Sequence, residues 1–153
     1  MTHGADVPSS TSRLAFQATT HCLTGCAIGE VLGLASGTAL GLTNAVTLIL
    51  GIVLAYLFGY ALTLVPLVRA GMPVLRASGI TFAAETLSIT TMEIVDNVVV
   101  VAIPGAMDAG LADLLFWASL AISLALAFVA AFPVNRWLIA RGLGHAVVHR
   151  AHS

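Results

Sequence analysis

Residues 45–68 read AVTLILGIVLAYLFGYALTLVPLV, with no charged side chain among them. A bilayer's hydrocarbon core takes roughly 20 apolar residues of helix. In lipid the backbone must close its hydrogen bonds internally, so a run of this kind reads as a transmembrane α-helix. Three more stretches read the same way: Leu14 to Leu40, Ile80 to Ile103 and Leu111 to Pro133. Residues 41–44, 69–79 (RAGMPVLRASG) and 104–110 read as the joints between them. The pattern predicts an all-α, polytopic membrane protein with a four-helix domain over residues 14–133. Residues 1–13 are expected to form a disordered cytoplasmic N-terminus and 134–153 a cytoplasmic or interfacial tail. The tail either extends the fourth helix or lies on the surface as an amphipathic helix, with Trp137 as an interface anchor.

Composition agrees. Hydrophobic residues make up 59% of the 153 and charged residues 8%, against about 25% charged in soluble domains. A chain this small cannot bury most of its surface, so lipid must face much of it. The net charge is −1 and the cationic residues are scattered arginines, which excludes a basic nucleic-acid patch. The N-terminus, MTHGADVPSSTSR, shows no charged region running directly into an apolar core and a cleavage site, so no cleavable signal peptide is expected.

Arginine sets the expected orientation. With four spans, Arg13, Arg69, Arg76, Arg136, Arg141 and Arg150 all fall on one side. Asp108 and Asp113 fall on the other. The positive-inside rule then places both termini in the cytoplasm, in a cell inner membrane.

Gly25, Gly29, Gly33, Gly37 and Gly41 recur every fourth residue, and Gly51, Ala55 and Gly59 do the same on the second helix. Small residues let helices approach closely in lipid. The ladder serves packing within the chain or an interface between copies. Four helices enclose little interior, so a homo-oligomer is expected.

The functional signal is ionisable residues at membrane depth. Glu30, Glu85, Glu93 and Asp96 lie inside the expected spans, where a carboxylate is costly and marks a pathway or ligand site. Cys22, Cys26 and Glu30 are spaced by four, one stripe at about 100° per residue, with His21 beside its cytoplasmic end. Glu85, Met92 and Asp96 share a face of the third helix, bordered by Ser88 and Glu93. Both helices run outward from the cytoplasmic side. His21 and Cys22 should therefore sit level with Glu85, and Glu30 level with Met92 and Glu93. Thiolate, imidazole and thioether ligands select soft or borderline cations such as Cu(I) and Zn(II). Oxygen ligands would dominate a Ca or Mg site. Buried cysteine and methionine alone are ordinarily packing residues; the meaning lies in the set. His145, His149 and His152 share one helical face in the tail, with His3 at the other terminus, and suit capture of the same metals.

HCLTGCAIGE (21–30), ETLSITTMEIVDN (85–97), PGAMDAGL (104–111) and PVNRWLIARGLGHA (133–146) together give a fairly specific signature. From about residue 15 onward the chain resembles a bacterial family of small integral membrane proteins catalogued as a domain of unknown function. The resemblance implies a four-helix membrane fold, and some members carry His-rich termini; here the N-terminus has only His3. The family motifs fall on His21, Cys22, Cys26, Glu30, Glu85, Met92, Glu93, Asp96, Asn97, Arg141 and His145.

No P-loop, dinucleotide fingerprint, HExxH or GxSxG occurs. The residues point to a transition-metal-binding membrane protein that moves or hands over Cu(I) or Zn(II), with the acids available to relay protons. Two alternatives are a membrane metalloenzyme using the same ligands and an assembly subunit of a larger membrane complex.

Overall fold

A computed structural model describes residues 7–142. Four long helices account for nearly all of them: α1 (Val7–Ala39), α2 (Asn44–Arg69), α3 (Val74–Ala102) and α4 (Leu114–Ala140). A single 3-10 turn, Ala106–Asp108, lies between α3 and α4. There is no strand among the described residues. Helices α1, α2 and α4 are long and apolar enough to cross a membrane. Helix α3 carries Glu85, Glu93 and Asp96, but all three are buried, while its outward Phe82, Leu87, Ile94 and Val98 are exposed and apolar. It is therefore dressed for lipid outside and polar inside.

The short joints are built by helix ends. Gly41 adopts φ +65° and Gly71 φ +92°, a region that favours glycine. At each, the next residue's N–H bonds back to a carbonyl five residues earlier: Leu42 to Gly37 at 2.9 Å and Met72 to Leu67 at 3.1 Å. This Schellman closure reverses the chain within a few residues. The result is an up-down-up-down bundle with α1 and α3 parallel. Helix α1 packs most extensively on α2, then on α4, and meets α3 across the interior. Arg13, Arg69, Arg76, Arg136 and Arg141 gather at one end, all exposed, and Asp108 and Asp113 sit at the other. Arg141 stacks over the ring of the exposed Trp137, 5.0 Å from its centroid.

The glycine ladder is used within the chain. A Cβ on Gly25 would meet Gly59, on Gly29 Ala55, and on Gly33 Gly51. Small residues thus face small residues, and the two backbones touch.

Three boundaries differ from the sequence expectations. Helix α1 starts at Val7, so residues 7–13 are helical rather than disordered. Pro8 falls in the first turn, where its missing N–H is not needed. The joint expected over 69–79 shrinks to residues 70–73, because helix α3 begins at Val74 despite Gly79. Helix α4 runs through Pro133 to Ala140, realising the extension alternative for the first part of the tail. An interior proline costs a helix about 3 kcal/mol. Burial of Asn135, Leu138 and Ile139 beyond it offsets that cost. His3, His145, His149, His152 and Arg150 lie outside the described residues.

Candidate functional site

The buried acids of α3 meet the cysteine stripe of α1 in three successive rungs. The first is at the arginine-rich end. Cys22 Sγ donates to Glu85 Oε2 at 2.8 Å. Thr63 of α2 donates its hydroxyl to Glu85 Oε1. His21 Nε2 lies 3.1 Å from Thr63 Oγ1. Thr63 has one proton and gives it to Glu85, so the His21 nitrogen is the donor. The chain His21, Thr63, Glu85, Cys22 thus links a half-buried imidazole to a carboxylate that is 0% exposed.

One step deeper, Cys26 faces Glu93. Glu93 Oε2 also accepts from Asn97 Nδ2 at 3.2 Å. In the third rung Glu30 and Asp96 bring their carboxyl groups together, with Glu93 close by. Glu30 Oε1, Glu93 Oε1 and Asp96 Oδ1 are buried and have no hydrogen-bond partner. All five described arginines are exposed. Among the described residues, therefore, no arginine is buried beside the inner acids.

The expected level of Cys22 with Glu85 is observed. Glu30 lies one turn further along, opposite Asp96, with Glu93 beside it. Met92 shares one buried cluster with Cys22, Cys26 and Ile89, so three sulfur atoms line the same core. The rungs are pairs. Among the described residues, no three His, Cys, Asp or Glu side chains converge as a metal-holding group.

The outer rung opens into a cavity of about 260 Å³ at the arginine-free end. Glu30, Glu93, Asp96 and Asn97 form its polar floor. Leu48, Ile52, Val100 and Phe116 form apolar walls. Asn44, at the start of α2, donates to Asp108 Oδ1 at 2.6 Å and ties the 3-10 turn across the mouth.

The sequence expectations pass over several polar residues of the interior. Asn135 Nδ2 donates to Thr19 Oγ1 at 3.0 Å and to Ser88 Oγ at 2.9 Å, tying α4 to both α1 and α3. A span ending at Pro133 hides it. A lone asparagine two residues past a proline in an apolar helix is the signal that finds it. Thr63 had none, since a threonine in an apolar helix usually bonds its own backbone. Tyr56 with Thr90, and Tyr60 with Thr86, pair hydroxyls between α2 and α3.

A family model described as a domain of unknown function, DUF4396, matches residues 11–144. No curated protein matches the chain, and no solved structure does.

Proposed function

The chain belongs to the DUF4396 family, and we propose that within it this protein is an inner-membrane carrier that moves or hands over a soft transition-metal cation in exchange for protons. Both termini face the cytoplasm in this reading, following the arginines. The observation that carries it is the ladder of buried acids and thiols, beside which, among the described residues, no arginine is buried. Such acids need mobile positive charge, either protons or a cation in passage.

Pairs of ligands suit transit. A path must bind well enough to admit an ion and weakly enough, over several sites, to release it. Protein-bound Zn(II) takes four ligands in a tetrahedron, whereas thiolate and thioether sulfur favour Cu(I). Cys22, Cys26 and Met92 in one cluster make Cu(I) the first choice over Zn(II). At Cys22 the Sγ–H bond breaks as the Sγ–Cu bond forms, and Glu85 Oε2, already the acceptor at 2.8 Å, takes the proton. Metal binding to thiols releases protons in this way. For that proton to leave toward the arginine-rich end, both bonds must reverse, Glu85 donating to Thr63 and Thr63 to His21, which the other His21 tautomer allows.

The test is a Cu(I) competition titration of the purified full-length protein, repeated on the Cys22→Ala/Cys26→Ala double variant. The expected result is saturable binding that weakens at least tenfold in the double variant. Unchanged stoichiometry and affinity would remove the site.

A further inference from the structure

The cavity above the Glu30–Asp96 rung is larger than a metal ion needs. A bare cation is held by atoms at about 2 Å, whereas this space is about 260 Å³. An engineered apolar cavity of about 150 Å³ admits benzene. The walls are hydrocarbon: Ile52 of α2, Val100 of α3 and Phe116 of α4. The floor is acidic in residue type and unsatisfied. Asp96 is 3% exposed and Glu93 5% exposed; both line the cavity, and each keeps one buried oxygen without a hydrogen-bond partner. An apolar chamber with a few convergent polar groups is the usual make-up of a small-molecule site.

We propose that this cavity binds a small hydrophobic organic cation, a primary amine of about benzylamine's size. Its ammonium group sits between Asp96 and Glu30, and its hydrocarbon lies against Ile52, Val100 and Phe116. The charges fit. The ammonium's positive charge faces the carboxyl oxygens of Glu30 and Asp96, which come together at the cavity floor. An ammonium also brings three donors to oxygens that lack them. The ligand enters at the arginine-free end, beside the Asn44–Asp108 bond. The inference does not rest on metal binding, because the ammonium sits between Glu30 and Asp96 and neither Cys22 nor Cys26 lines the cavity.

The experiment is isothermal titration of the full-length protein in detergent with benzylammonium chloride, and separately with benzyl alcohol, its neutral counterpart. The expected result is at least tenfold tighter binding of the amine. Asp96→Asn should reduce that preference to less than threefold, and the Cys22→Ala/Cys26→Ala variant should keep it. Equal affinity for amine and alcohol would overturn the proposal, since the cavity would then be an apolar crevice open to any lipid tail. Absence of binding by either compound would overturn it too, as would full preference retained in Asp96→Asn. Should Asp96→Asn fail to fold, the amine-to-alcohol comparison on the unaltered protein decides.

Discussion

Replacing Gly29 by alanine should cost more stability than any other single methyl group added along the α1–α2 seam. A Cβ at this position would lie 2.5 Å from Ala55 Cα and 2.7 Å from the Leu54 carbonyl carbon, and nearer still to Ala55 N. Carbon atoms in comfortable contact stand about 3.5–4.0 Å apart, so the helices must part by about 1 Å. The obstructing atoms are backbone, and no side chain can swing aside. Overfilling a packed interior costs about 1–3 kcal/mol, and a rigid obstacle puts Gly29→Ala at the upper end. Gly51→Ala is the internal control: it adds the same methyl group to the same seam, but the nearest atom is Glu30 Cα at 3.7 Å. It should change stability by less than about 0.5 kcal/mol. Unfolding by sodium dodecyl sulfate in mixed micelles, followed by circular dichroism, measures both. Parting α1 from α2 also shifts Cys26 and Glu30 relative to α3, so Gly29→Ala should weaken Cu(I) binding where Gly51→Ala does not. A Gly29→Ala protein as stable as the unaltered one, or a Gly51→Ala protein equally damaged, would refute the claim that the backbones touch here.

Three further outcomes are expected. Asn135→Ala removes two interhelical hydrogen bonds, to Thr19 and to Ser88; it should destabilise by about 2 kcal/mol in the same unfolding assay. Thr63→Val keeps the shape but breaks the bridge from His21 to Glu85. It should slow proton movement measured with a pH-sensitive dye in proteoliposomes, with Cu(I) affinity changed less than threefold. Asn44→Asp sets a carboxylate against Asp108 where an amide now donates at 2.6 Å. Like charges on this exposed pair should open the mouth and speed hydrogen exchange of residues 105–110, an effect that salt should diminish.

The helices were legible because their signal is collective. Residues 45–68 carry no charge, and no single residue decides the matter. The pairing of Cys22 with Glu85 was equally legible, because parallel helices of known rise fix relative depth. The displaced rung was less so. Glu30 stands by Glu93, as its depth predicts, but makes its side-chain contact with Asp96 one turn on, a choice that periodicity does not encode. Pro133 left the end of the last helix open for a physical reason. Its local cost is visible in the sequence, but the compensation comes from Asn135 reaching Thr19 and Ser88, contacts more than 40 residues away along the chain. The cavity was invisible for the same reason, since α2, α3, the 3-10 turn and α4 must all be placed before its walls meet.

The central claim is that the interior acids are neutralised by exchangeable positive charge. Counting the protons released per Cu(I) bound tests it most directly, with an indicator dye in weakly buffered solution. At least one proton should appear for each ion taken up, and fewer in the Cys22→Ala/Cys26→Ala variant. Cu(I) uptake with no proton released would contradict it.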